Sequence, residues 1–143
     1  MGLEDALDIS VSGIDAERQH MELISSNIAN INTTRTLNGG AYRRKIAVFG
    51  EKELSFDQEL KSAEGKIESG GVMVSEIAED KSPLHKVYNP SHPDADGKGF
   101  VNMPNVDLAK EMVDMTESSK LYESNITVFN VTKKMIQDTM QIQ

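Results

Sequence analysis

The chain has 143 residues and no cysteine, with 15 Lys and Arg against 23 Asp and Glu and a formal net charge of -8. A length in this range predicts one domain, or one small domain with extended arms. The acidic balance argues against nucleic acid as a partner, and the missing thiols exclude disulfides, thiolate metal sites and cysteine nucleophiles.

The start of the chain resembles neither a membrane anchor nor a secretory leader. Residues 1–5 are acidic, where a secretory signal would be basic. The longest apolar run, 46–49, falls far short of the ~18 residues that indicate a membrane span. We therefore expect no direct membrane insertion and no cleaved signal peptide.

Residues 1–34 are predicted to form an N-terminal helical arm. The arm is expected to end near Asn30, where Asn and Thr residues that favour caps and turns accumulate. Gly13 should weaken the helix by about 1 kcal/mol, with a bend or local fraying. Apolar and polar side chains spaced by three and four form the a/d seam of a coiled coil. This seam comprises Leu7, Val11, Ile14, Arg18, Met21, Ser25 and Ile28.

Residues 35–104 are predicted to form a small β-containing middle segment. All four prolines lie in it, which separates it from the two helical arms. Alternating side chains indicate strands at 42–49 and 72–77, with edge pieces at 86–88 and 100–101.

Two polar stretches of the middle segment are interpreted as a loop and as one face of a strand. Residues 51–69 have few apolar anchors and are predicted to form a mobile loop with unassigned contacts. The basic cluster Arg43, Arg44 and Lys45 is interpreted as the solvent or interface face of a strand, with ion pairs to acidic neighbours.

We expect no metal site in the middle segment. His85 and His92 are of a suitable ligand type for divalent cations, but their spacing matches no recurrent ligand pattern. The run that starts at Asp94 resembles a calcium loop, but Lys98 occupies its third acidic position, and a hairpin turn explains it better. Since the phosphate-binding, dinucleotide-binding and nucleophile motifs are also missing, we expect no metal, no cofactor and no enzymatic activity.

Residues 105–143 are predicted to form a C-terminal helical arm, because the stretch contains neither Gly nor Pro and starts with a cap near Asp107. At ~1.5 Å per residue this arm would exceed what the rest of the chain can cover. Its seam runs through Leu108, Met112, Met115, Ser119, Tyr122, Ile126, Phe129, Lys133, Ile136 and Met140. The sequence therefore predicts an α+β fold, with the two arms paired as an antiparallel coiled-coil hairpin.

One segment at the end of the first arm carries a family resemblance. Residues 26–33, SNIANINT, resemble the signature of bacterial flagellar rod, hook and hook-associated axial proteins. Segments at 8–13, 34–45, 99–107, 111–113 and 122–125 are similar to those of a proximal-rod subunit in particular.

The resemblance implies an architecture and a location. The terminal helices would pair in the inner tube of the axial structure, with the β-containing segment outside it. Subunits would leave the cytoplasm unfolded through the flagellar type III export channel, without a cleaved signal, and assemble in the periplasmic rod of the basal body. Partners would be other copies and other rod proteins, with the basal-body ring left open as a further contact.

We therefore expect a structural rod subunit that assembles helically and transmits torque. One alternative is a cytosolic coiled-coil adaptor or export chaperone, which would fold alone as a defined oligomer. The other is a metal-dependent enzyme built on the loop that contains His85 and His92. The expected assembly interface combines seam and signature residues: Leu7, Val11, Ile14, Met21, Ser26, Asn27, Ile28, Ala29, Asn30, Leu108, Met112, Met115, Tyr122, Asn125, Ile126, Phe129, Ile136 and Met140.

Overall fold

The computed structural model describes residues 3–37, 39–52 and 70–141. Within these ranges the elements are α1 Leu3–Ala29, β1 Lys45–Glu51, β2 Val72–Glu79, β3 His85–Tyr88, β4 Phe100–Met103 and α2 Leu108–Gln141. Two long helices and two antiparallel strand pairs make this an α+β fold, as predicted. The loop predicted at 51–69 lies, beyond Lys52, outside the described residues.

The helix α2 begins at a side-chain cap. The Asp107 carboxylate accepts a hydrogen bond from the backbone N–H of Ala109 at 2.9 Å, which satisfies one of the amides that a helix start leaves without a partner. The cap predicted near this residue is confirmed.

Both strand pairs are antiparallel hairpins. In the first, β1 and β2 pair from Lys45 opposite Glu79 to Glu51 opposite Val72, with a register shift after Val48. In the second, β3 and β4 pair from His85 opposite Met103 to Tyr88 opposite Phe100. The two strands predicted from alternation and the two predicted edge pieces are thus present, although β1 begins at Lys45 and not at residue 42.

The β1–β2 hairpin packs along α1. The backbone N–H of Val72 donates to the Ser12 hydroxyl at 3.1 Å, and that hydroxyl donates to the Ile9 carbonyl at 2.7 Å. Further along the helix, the rings of His20 and Phe49 meet edge to face with centroids 5.4 Å apart. The hairpin therefore follows α1 over about half the length of that helix.

The helix α1 continues unbroken through Gly13, so the fraying expected there is not what the structure shows. Gly13 is buried, and a Cβ atom at this position would lie 2.8 Å from Asn125 Nδ2 of α2. The missing side chain lets the two helices approach closely. Contact with α2 thereby compensates for the low helix propensity of glycine.

The contacts between α1 and α2 show that the two helices run in opposite directions. Asn27 contacts Glu111, Glu17 contacts Ser118, and Gly13 lies against Asn125. The three residues of α2 are seven positions apart. Residue numbers fall along α1 as they rise along α2, so the base of the helix pair is formed by the end of α1 and the start of α2.

The row of α2 that is most buried differs from the predicted seam. Glu111, Ser118 and Thr132 are the buried residues of this helix. They directly precede the predicted seam residues Met112, Ser119 and Lys133, of which Met112 is exposed. The seam was identified by counting apolar residues, whereas this contact row consists of small and polar ones, which permit a close approach of the helices.

The contact between Gly71 and Ser12 gives a test of this packing. Gly71 has φ of 77°, and a Cβ atom there would collide with the Ser12 hydroxyl. We predict that Gly71→Ala destabilises the hairpin by about 1–3 kcal/mol, because it strains the backbone and displaces the acceptor of the Val72 amide. Hydrogen exchange of the Val72 amide should accelerate at least tenfold.

A matched substitution exists at Gly97, where a Cβ atom would meet nothing within 4 Å. Gly97→Ala should leave exchange of the Val72 amide unchanged. Equal exchange in both variants would contradict the role assigned to Gly71.

Candidate assembly interface

Asn27 anchors the end of α1 to two other elements. The side chain is only 1% exposed. Its Nδ2 donates to the Lys45 carbonyl at 2.9 Å and to Glu111 Oε2 at 3.0 Å, while its Oδ1 accepts from the Lys45 N–H and the Tyr42 hydroxyl, both at 2.9 Å. These four bonds use both donors and both acceptor sites of the amide, which explains the need for Asn at this position.

Glu111 places a carboxylate at the base of the helix pair with 0% exposure. Arg44 Nε donates to Glu111 Oε1 at 2.5 Å, and Arg44 Nη2 donates to Asp114 Oδ2 at 2.9 Å. The Arg44 side chain is itself 13% exposed. A buried carboxylate requires a charged and hydrogen-bonded partner, and the guanidinium fork supplies it.

Asn105 extends the same cluster to the connection between β2 and β3. Its Oδ1 accepts the backbone N–H of Arg44 at 2.8 Å, and its Nδ2 donates to the Ser82 hydroxyl at 2.8 Å and the Asp80 carbonyl at 3.1 Å. The Ser82 backbone N–H and hydroxyl hydrogen-bond the Asp80 carboxylate and lower its pKa below the ordinary value. We call Asn27, Tyr42, Arg44, Asn105 and Glu111 the polar junction.

Sequence reasoning found only part of the polar junction. Asn27 was identified through the signature segment, and ion pairs were predicted for the basic cluster. Arg44 makes such pairs but is largely buried, whereas the cluster was interpreted as a solvent or interface face. Glu111 was identified only as part of a segment of the family resemblance. Its pairing had no sequence signal, because its partners lie 67 and 84 residues away along the chain.

A second apolar stripe of α2 was also missed. Leu121, Val128, Val131 and Met135 are each about half exposed and lie three, four or seven residues apart. Such spacing places them on one face of the helix. We call this stripe the outer row. The sequence signal that could have revealed it is the seven-residue interval from Leu121 through Val128 to Met135.

The predicted interface residues fall into three groups by burial. Asn27 is buried. Half-buried positions are Leu7, Ile14, Met21, Ser26, Ile28, Asn30, Met115, Tyr122, Asn125, Ile126, Phe129 and Ile136. Exposed positions are Val11, Ala29, Leu108, Met112 and Met140. The half-buried group includes every second seam residue of α2. These residues lie beside the buried row of the same helix and are Met115, Tyr122, Phe129 and Ile136.

The loop that carried the metal hypothesis is organised as a turn. Asp96 Oδ1 accepts the backbone N–H groups of Phe100 at 2.9 Å and Lys98 at 2.8 Å, and these bonds lower the pKa of Asp96 below the ordinary value. Among the residues the structure describes, His, Asp and Glu side chains do not gather in threes or more as metal ligands would. Within the same ranges, neither helix combines the length and apolarity needed to cross a membrane.

Comparison with known proteins finds matches at both ends of the chain. A family model described as "Flagella basal body rod protein" matches residues 7–35, and one described as "Flagellar basal body rod FlgEFG protein C-terminal" matches residues 98–142. These ranges contain both helices almost entirely.

Three relatives that match nearly the whole chain carry the same name. The flagellar basal-body rod protein FlgC of Bacillus subtilis (strain 168) is 43% identical over 143 residues, which is 96% of this chain and 95% of that protein. FlgC of Borreliella burgdorferi is 40% identical over 149 residues, with 99% and 98% covered. FlgC of Escherichia coli O157:H7 is 35% identical over 142 residues, again with 99% and 98% covered.

The four hydrogen bonds of Asn27 give a test of the polar junction. We predict that Asn27→Ala lowers the free energy of unfolding by about 3 kcal/mol, because the Lys45 backbone, the Tyr42 hydroxyl and Glu111 all lose a partner in a buried site. The Lys45 amide, which donates to Asn27, should exchange its hydrogen roughly 100-fold faster.

Ser26 is the control from the same segment, since its hydroxyl makes no bond in the polar junction. Ser26→Ala should change the stability by less than about 0.5 kcal/mol. If the two variants exchange the Lys45 amide alike, the signature segment does not act through this junction.

Proposed function

Since the chain belongs to the FlgC family of flagellar basal-body rod proteins, we propose that it is a structural rod subunit that sits in the proximal rod and transmits torque. The observation that carries this function is the similarity to FlgC proteins over 95–99% of both chains. The adaptor or chaperone alternative is not favoured, because these relatives are rod proteins by name. The role is one of packing between subunits and not of catalysis.

The proposed subunit has three parts with different tasks. Residues 1–34 and 105–143 would pair as an antiparallel coiled-coil hairpin, and residues 35–104 would form a middle segment beside it. The contacts from Asn27–Glu111 to Gly13–Asn125 support this pairing. Seam and signature residues that this pairing leaves partly exposed, together with the outer row, would pack against neighbours, where apolar burial contributes ~25 cal/mol per Å².

Location and partners follow from the same proposal. The chain would be exported unfolded through the flagellar type III channel without a cleaved signal and assemble in the periplasmic rod. Its partners would be other copies of itself and other rod proteins, with the basal-body ring as a further contact. Freedom from cysteine suits this route, because no disulfide can form during passage between compartments.

Motility of a strain that lacks its own rod subunit tests the function. We predict that the wild-type gene restores swimming and that Val128→Asp does not. Val128 is about half exposed in the single chain, so a carboxylate there is tolerated during folding but is buried unpaired when a neighbour packs on the outer row. The measurement is the swimming ring in soft agar, with images of purified basal bodies.

Two controls separate packing from other causes. Asn130→Asp adds the same charge to α2 at an exposed polar position, and should swim like the wild type. His85→Ala combined with His92→Ala should also swim normally. An immotile histidine variant together with a motile Val128→Asp variant would show that the loop, and not the helix surface, carries the function.

A further inference from the structure

The carboxylate of Glu111 lies inside the contact between the two helices. Glu111 is one of the buried residues of α2 and has no exposed surface. The α1 residue that bonds it is Asn27, whose neutral side-chain amide donates to Glu111 Oε2 at 3.0 Å. A charge that leaves water requires an opposite charge as well as hydrogen bonds. The contact with α1 alone therefore does not offset the cost of burying Glu111.

Within the part of the chain that the structure describes, neither helix contributes a cation to Glu111. Residues 3–29 contain one Lys or Arg, Arg18, which is exposed and paired with acidic residues of its own helix. In α2, Lys110 directly precedes Glu111 but is exposed. Asp114, three positions after Glu111, adds a second carboxylate at the same end of the helix. The two helices paired without the rest of the chain would thus hold like charges together at their base.

The cation for Glu111 comes from the middle segment, just before β1. Arg44 bonds both carboxylates, with Nε on Glu111 and Nη2 on Asp114. The backbone of Arg44 is itself held within the middle segment and at its end. Its carbonyl accepts the N–H of Asp80, which follows β2, at 2.8 Å, and its N–H donates to Asn105 Oδ1 at 2.8 Å. Arg44 therefore takes its position when the middle segment has folded.

We propose that Glu111 makes the pairing of α1 with α2 conditional on a folded middle segment. Before Arg44 is in place, closing the helix pair buries a carboxylate without a cation, whereas separate helices leave that carboxylate in water. Once Arg44 is in place, the same carboxylate joins both helices to the middle segment. The helical arms of a partly folded subunit are thus kept from pairing early. This is a property of the single chain, so it can fail while the rod function stands.

Removing the cation alone, and then the cation together with the carboxylate, tests this condition in the full-length chain. Hydrogen exchange of the Ser118 and Asn125 backbone amides of α2 measures how often the helix pair opens. Arg44→Met should accelerate this exchange roughly 100-fold, because Glu111 is left buried without its cation. Adding Glu111→Gln to Arg44→Met should bring the exchange back to within about tenfold of the wild type, because the helices then pair without burying a charge.

Arg43→Met is the matched control, since it removes the neighbouring charge, whose Nη1 donates to the Ser82 carbonyl at 3.4 Å. It should leave exchange of the Ser118 amide unchanged. The proposal is overturned if the double variant exchanges as fast as Arg44→Met, or if Arg44→Met behaves like the control. If Arg44→Met unfolds the whole chain, recovery of the fold on adding Glu111→Gln supports the proposal, and failure to recover it overturns the proposal.

Discussion

The buried carboxylate of Glu111 is the constraint on which the rest of the structure depends. A charge with no exposed surface is stable only with its partners in place, and these come from different elements: Arg44 beside β1, and Asn27 from α1. Removing one partner of such a pair costs several kcal/mol, because the other charge is left buried and alone. Two helices and a strand pair are therefore held in one mutual position by a single group.

The same group fixes the register of the helices. Sliding α2 by one heptad would place Ser118 opposite Asn27 and leave Glu111 without its amide donor. A polar residue in a helix interface selects register in this way, at some cost in stability. Gly13 adds a steric condition, since the close approach to Asn125 exists at one register only.

The helices thereby divide their surfaces by chemistry. On α2 the buried residues are Glu111, Ser118 and Thr132, whereas the apolar residues of the outer row are about half exposed. An ordinary amphipathic helix buries its apolar face against the core of its own chain. In the proposed assembly, polar contacts within the chain would supply specificity, and the partly exposed apolar rows would supply area for packing between subunits.

The sequence predicted much of the fold, because its signals are local. Long stretches without Gly or Pro identify the two helices, and alternation identifies the strands. The polar junction escaped prediction because its bonds join residues far apart along the chain. The contact row of α2 escaped because a periodicity argument counts apolar residues, and Glu111, Ser118 and Thr132 are polar.

The polar junction also governs the surfaces that lie outside it. Asn27 lies near the end of α1 and Tyr42 shortly before β1, and their side chains are hydrogen-bonded to each other. On α2, the exposed seam residue Met112 directly follows Glu111. The two helices are thus joined beside these surface residues by hydrogen bonds to one buried cluster. Such directional bonds define the relative position of the helices more sharply than a purely apolar and more adaptable core would.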